Sequence, residues 1–321
     1  MTLPFRSLAI LGAASALVAL SACSGTAQPA ETGAGGSVPL SVAVAFYPFQ
    51  FVSERVGGDL VKVENLTSPG AEPHDLELAP RQVALLSSAD LLVYQTGFQP
   101  AVDQALTQAQ PKRAVDTASF LQFMPATEDE DAHADEGDSH ADEGGAHGGL
   151  DPHVWLDPAN MVTITEHVRD ALIEARPAAK DTFTDNAAAL VGELKKLDSD
   201  FSSGLAGCQI KPVVTSHAAF GYLAHRYGLE QVAIRGLEPD TEPTAVRIAE
   251  VQALVKANGV TTIFFETLVS PVVSESIATD LGLKTDVLDP LEGITADSRG
   301  NDYLEVMRSN LASLEGANKC S

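Results

Sequence analysis

Residues 212–227 read PVVTSHAAFGYLAHRY. The short apolar run Pro212–Thr215 has the length and composition of a buried strand, and Ala218–Tyr227 continues as a helix-like segment. Between them sits one histidine, His217, at a strand-to-helix turn. The same alternation repeats outward from this unit. Downstream, Gln231–Ile234, Thr261–Phe265 and Thr285–Leu288 read as strands, and Thr244–Ala257, Pro271–Leu281 and Tyr303–Leu314 as helices. Upstream, Ser41–Ala45, Val61–Leu66, Leu91–Tyr94 and Ala114–Val115 read as strands, separated by the helix-like Phe49–Val56, Pro80–Ser88 and Ala101–Ala109. Alternating strands and helices predict an α/β fold of two lobes, each a parallel sheet flanked by helices. Ligands of such sheets gather beyond the carboxyl ends of the strands, where His217 and Asp289 fall; His74 follows its own strand in a loop.

Between the halves, Pro158–Arg176 and Lys180–Gly204 form a long helical stretch with few breakers. Phe183, Leu190, Leu194, Leu197 and Phe201 give it an amphipathic pattern. A helix joining two lobes acts as a rigid strut that permits small tilts, so a metal or ligand held between the lobes is expected in the inter-lobe cleft.

The first residues place the chain. Arg6 is the sole cation ahead of the apolar stretch Leu8–Leu20, which is too short for a comfortable membrane span, and Leu20-Ser21-Ala22 leads directly into Cys23. This is the pattern of a bacterial lipoprotein leader: cleavage leaves Cys23 as an acylated amino terminus, and two or three acyl chains hold a protein at a membrane surface. The expected layout is a leader over 1–22, a flexible tether over 23–38, an N-terminal α/β lobe over 39–157, a linking helical region over 158–207 and a C-terminal α/β lobe over 208–321. The protein is therefore expected outside the cytoplasm, on the outer face of the cell membrane. Cys208 and Cys320 are the two cysteines left; with no CxxC spacing and an oxidising compartment, a disulfide is expected.

The net charge of −24, from 44 acidic and 20 basic residues, argues against nucleic acid as a partner and for attraction of cations. Part of it is concentrated in residues 128–149, EDEDAHADEGDSHADEGGAHGG, where His133, His140 and His147 recur every seven residues. Having no aliphatic side chain beyond alanine, this segment cannot build a core and is expected to be a disordered loop that collects metal loosely.

Three histidines lie in stiff turns. His74 stands in SPGAEPHDLEL (68–78), His153 in LDPHVWLDP (150–158) between two Asp-Pro pairs, and His217 in VVTSHAAFGY (213–222). Three neutral imidazoles and one oxygen complete a tetrahedral zinc shell. The oxygen candidates are Asp289 in VLDPLEG, Glu266 in IFFETLVSP and Glu72 beside His74, while Asp151 or Asp157 can orient His153 through its other ring nitrogen. His167 and His225 fall mid-helix and are left out of the site.

The motifs PHDLEL, PRQVALLSSADLLV, DPHVWLDP, VTSHAAFGYLAHRYGL, FFETLVSP and LDPLEG occur in this order, and from about Leu40 to Leu314 the chain resembles the zinc- and manganese-binding solute receptors of ABC importers. That resemblance implies two α/β lobes joined by a rigid backbone helix, metal in the cleft, and delivery to a membrane permease by a monomeric protein. It carries the metal ligands onto His74, His153 and His217, with Asp289 as the fourth, and matches Glu266 to the glutamate of its FxE motif, behind the ligands; Glu72 and Asp151 are the other candidates for that supporting place. In the manganese-selective branch a glutamate replaces the third histidine, so His217 favours Zn2+ over Mn2+. The acidic histidine-rich loop is also a trait of the zinc branch. A non-catalytic receptor is the leading reading. A manganese receptor of the same fold and a metal-dependent surface adhesin are the alternatives. A zinc hydrolase is disfavoured because HExxH and an evident general base are lacking.

Overall fold

The computed structural model describes residues 38–126 and 149–321. Cys23 with its leader, and His133, His140 and His147, lie outside the described residues.

The N-terminal half runs β1 (Leu40–Val44), α1 (Tyr47–Gly57), β2 (Val61–Asn65), α2 (Pro80–Ser88), β3 (Leu91–Tyr94), α3 (Pro100–Leu106) and β4 (Ala114–Asp116). Then come two long helices, α4 (Pro158–Ala175) and α5 (Lys180–Leu205). The C-terminal half runs β5 (Pro212–Thr215), α6 (Gly221–Tyr227), β6 (Glu230–Ala233), α7 (Ala245–Asn258), β7 (Thr262–Phe265), α8 (Val272–Leu281), β8 (Lys284–Val287) and α9 (Tyr303–Ala317). Each half forms a parallel four-stranded sheet, ordered β2-β1-β3-β4 and β6-β5-β7-β8. The central strands are apolar throughout because helices cover both faces: β5 is buried at every position, β3 at three of four. The repeated order gives each sheet a switch point, between β1 and β3 and between β5 and β7, where connections leave in opposite directions and open a crevice.

The fold class matches the sequence reading, with two local differences. The linking stretch is a pair of helices, because Pro177 cannot continue α4 and a short 3-10 turn (Pro177–Ala179) reverses the chain, so that α5 packs back along α4. Of the pair, α5 is the longer strut, 26 residues or about 39 Å at the α-helical rise. It buries Phe183, Ala187, Leu190, Leu194, Leu197, Phe201 and Leu205 at three- and four-residue spacing. The second difference is that α6 begins at Gly221 rather than Ala218. The residues after β5 stay bound to those after β6, with Arg235 N donating to Ser216 O and Ala218 N to Gly236 O. His217 is thereby kept in an extended turn.

One apolar core runs through α1, α4, α5, α9 and both sheets. Its centre is Trp155, fully buried, edge-on to Phe46 of the N-terminal half. Its indole Nε1 donates to Pro290 O of the C-terminal half at 2.7 Å. Tyr303 Oη of α9 donates to Trp155 O at 2.6 Å. A disulfide joins Cys208 to Cys320, as expected, and ties the chain's end to the entrance of β5.

Candidate metal centre

His217 leaves the carboxyl end of β5 and Glu266 that of β7, so both flank the switch point of the C-terminal sheet. The His217 Nδ1 donates to Glu266 Oε1 at 2.8 Å, and Ser216 Oγ donates to the same oxygen. This fixes the tautomer and turns Nε2 toward the cleft. His153 is held in the same way. Asp151 Oδ1 accepts from His153 N at 2.9 Å and from its Nδ1 at 2.8 Å, inside the turn that leads to Trp155. Asp151 is itself hemmed in, since a Cβ on Gly221 would stand 2.5 Å from Asp151 Oδ2. His74 rides on the loop after β2. Gln99 Nε2 donates to Pro73 O and to Thr67 Oγ1, anchoring that loop, and the ring packs edge-on against Phe98 at 4.7 Å.

The fourth member is Glu292. His74, His153, His217 and Glu292 are all buried and offer ligand atoms within 4.8 Å of one another. Glu292 Oε1 stands 3.4, 3.3 and 3.4 Å from the Nε2 atoms of His74, His153 and His217. Four donors around a tetrahedral zinc at about 2.0–2.2 Å are separated by about 3.3–3.6 Å, the edge of that tetrahedron. The spacing fits the ion. The orphaned atoms fit it too: His153 Nε2, His217 Nε2 and Glu292 Oε2 are buried without a hydrogen-bond partner, a cost that folded proteins seldom carry without an ion or water to meet them.

The electrostatics match this arrangement. Burial would raise Glu292, but the three imidazoles crowded against it outweigh burial and hold the carboxyl well below its ordinary range. Burial lowers His74, and the nearby Glu292 only partly offsets it. For His217 the charge of Glu266, its hydrogen bond and Glu292 overcome burial and push the imidazole well above its usual value; Asp151 and Glu292 do the same, less strongly, for His153. Glu72 lies apart from the converging atoms. Its Oε1 accepts from His74 N, and burial, followed by the charge of Glu292, lifts it to about 9.

The structure thus brings together three of the four residues expected as ligands, with Glu292 beside them and Asp289 outside the cluster. Asp289 is used up in its own turn: Oδ1 accepts from Leu291 N, and Oδ2 from Thr267 Oγ1 and Ser298 Oγ. That turn sets Leu291 at φ 59° and sends Glu292 into the cleft. The signal was present in LDPLEG, since Asp-Pro at a strand end favours a side-chain-capped turn and leaves the later glutamate as the available carboxylate. Asp157, the other candidate to orient His153, instead caps α4 through Ala159 N and pairs with Arg226 at 3.2 Å. His167 is exposed and stacks on Phe120, and His225 is exposed on α6.

Comparison with known proteins agrees with this geometry. The chain is 38% identical over 282 residues to the zinc-binding lipoprotein AdcA of Streptococcus pneumoniae, covering 86% of this chain and 55% of that protein, so it spans about half the length of this relative. It is 32% identical over 308 residues to the high-affinity zinc uptake system protein ZnuA of Bacillus subtilis, with 94% of each chain covered. The crystal structure of the Zn(II)-bound ZnuA-like domain of S. pneumoniae AdcA superposes with a TM-score of 0.72 at 36% identity, over 88% of this chain and 99% of that one. The family described as zinc-uptake complex component A, periplasmic, matches residues 42–317, and the chain belongs to that family.

Proposed function

We propose that this protein is an extracytoplasmic receptor that binds one Zn2+ through His74, His153, His217 and Glu292 and hands it to an ABC permease for import. The observation that carries the reading is the position of Glu292 Oε1, 3.3–3.4 Å from three imidazole nitrogens, at the edge length of a zinc tetrahedron. A set of three imidazoles suits zinc better than manganese, which favours oxygen donors and six-coordination. The ion is cargo rather than catalyst: four protein ligands close the tetrahedral shell and leave no position for the activated water a hydrolase needs.

The ligands come from different parts of the fold. His74 belongs to the N-terminal lobe, His217 and Glu292 to the C-terminal lobe, and His153 to the segment between them. A small tilt of one lobe on the α4–α5 pair draws His74 away from the other three and loosens the ion, which suits release at a docked permease. Cys23 supplies the lipid anchor that keeps a monomeric receptor beside its permease. Among the described residues no helix is long and apolar enough to cross a membrane. The segment 128–149, with His133, His140 and His147, collects zinc more loosely than the centre.

The test is zinc titration of the mature protein against Glu292→Ala, His217→Glu and a variant lacking residues 128–149. One tight site is expected in the parent and in the loop deletion, with strong weakening in Glu292→Ala. Unchanged affinity in Glu292→Ala contradicts the assignment.

A further inference from the structure

Two of the three imidazoles have an orienting carboxylate from their own side of the cleft, Asp151 for His153 and Glu266 for His217. The third differs. His74 Nδ1 stands 3.5 Å from Glu238 Oε2, and Glu238 lies on the opposite lobe, in the loop that runs from the carboxyl end of β6 to α7. The ring is buried while the Glu238 side chain keeps 40% of its exposure, so this carboxylate closes over the imidazole from the solvent side. The same two loops come close at a second point, where Asp240 raises the carboxyl of Asp75, the residue after His74, above its ordinary value. The base of the Glu238 loop is fixed: Arg247 Nε and Nη2 both donate to Ala233 O, and Thr241 N to Glu238 O.

We infer that Glu238 is a positioning residue for zinc: from across the cleft it orients the His74 imidazole, so that the third histidine becomes a competent ligand only when the two lobes meet. The inference rests on His74 being a ligand. His153 and His217 are set before closure by partners that move with them, and Glu292 travels with His217. His74 alone takes its orienting carboxylate from the other lobe. Lobe separation therefore removes His74 from the ion and its partner from His74 in one movement, which makes retention of zinc depend steeply on closure. The carboxylate–histidine–metal arrangement is the usual device for fixing ring orientation and raising ligand basicity, and loss of such a partner commonly weakens metal binding by about 10–100-fold.

The test uses the mature protein with Glu238→Ala, Glu238→Gln, His74→Ala and the Glu238→Ala/His74→Ala pair. Zinc affinity is read by competition with a chromophoric chelator, zinc release by stopped flow, and ligand geometry by the visible spectrum of the Co2+ form. Glu238→Ala is expected to bind zinc about 10–100-fold more weakly, to release it faster and to alter the Co2+ spectrum. Glu238→Gln, which keeps an acceptor oxygen, is expected to fall between Glu238→Ala and the parent. In the His74→Ala background, Glu238→Ala is expected to have no further effect. Parent-like affinity in Glu238→Ala, or the same factor lost with His74 already removed, overturns the inference while leaving the zinc centre intact. Parent-like zinc binding in His74→Ala overturns the ligand assignment itself, and this inference with it.

Discussion

Glu292 and Asp289 stand three residues apart in one turn, and the surroundings give them different tasks. Asp289 accepts three hydrogen bonds that shape the turn, while Glu292 keeps Oε2 buried without a hydrogen-bond partner. Glu292→Gln is expected to weaken zinc by more than about 100-fold, beyond the range for partners that only support a ligand. Asp289→Ala is expected to lower stability by about 1–3 kcal/mol by orphaning Leu291 N and two hydroxyls, read in denaturant melts of the metal-free protein. The clustered histidines were legible in the sequence because His74 and His153 sit in Pro- and Asp-rich turns and His217 sits at a strand-to-helix turn. The carboxylate was only partly legible: the Asp-Pro of LDPLEG signals a capped turn, but the choice between Asp289 and Glu292 depends on the backbone reversal at Leu291, a non-glycine residue at positive φ that composition does not announce. The protonation pattern supplies a pH prediction. The raised imidazole of His217 stabilises the metal-free fold; that contribution is present below the unfolded histidine pKa and fades as pH rises through the folded value. The depressed carboxyl of Glu292 contributes above the unfolded carboxylate pKa and is lost as pH falls through its lower folded value. Zinc must displace protons from His217 and His153, so its stabilising effect grows with pH. The difference in Tm between zinc-bound and metal-free protein is expected to be larger at pH 8 than at pH 6, and an equal difference at both counts against imidazole ligation.

At the scale of elements, the segment from Asp151 to Asp157 connects the centre to the core. His153 faces Glu292, and two residues on Trp155 joins Phe46 of one half to Pro290 O of the other. Trp155→Phe keeps the apolar packing and deletes the donor to Pro290. The expected loss is about 1–3 kcal/mol for the buried carbonyl left unpaired, with weaker zinc binding as the neighbouring turn through Glu292 relaxes. Urea melts and chelator competition on the same variant check both parts. On α5, Leu194→Ala is expected to cost about 2–5 kcal/mol as a cavity-forming change in a fully buried position, with zinc affinity unaltered once folded. The helices and the central strands were legible because burial on both faces makes strands into continuous apolar runs and the three- and four-residue spacing marks α5. The reversal at Pro177 was read through as a continuous strut, since the apolar periodicity resumes on its far side. The late start of α6 was hidden because residues 216–220 have helix-compatible side chains, and their backbone is held by the strand next door.

At the scale of the molecule, the largest apolar cluster threads both sheets and the linking helices, and a smaller cluster lies in each half. Wide hinge opening would expose that core to water. The Cys208–Cys320 bridge closes 112 residues at the entrance of β5, the end opposite His217. Replacing both cysteines with serine is expected to cost up to about 4–5 kcal/mol by loop-closure entropy while leaving zinc affinity within a few-fold of the parent, read by thermal melts and chelator competition. The organisation into two lobes was legible from the repeated strand-helix order; the contact of Glu238 with His74 was not, since nothing local in the sequence brings the loop after β6 to the loop after β2. The most direct test of the central claim is a crystal structure of the zinc-loaded mature protein. The account predicts one ion in a tetrahedral shell of His74 Nε2, His153 Nε2, His217 Nε2 and a Glu292 carboxylate oxygen; an ion ligated by Asp289, or one that leaves Glu292 free, contradicts it.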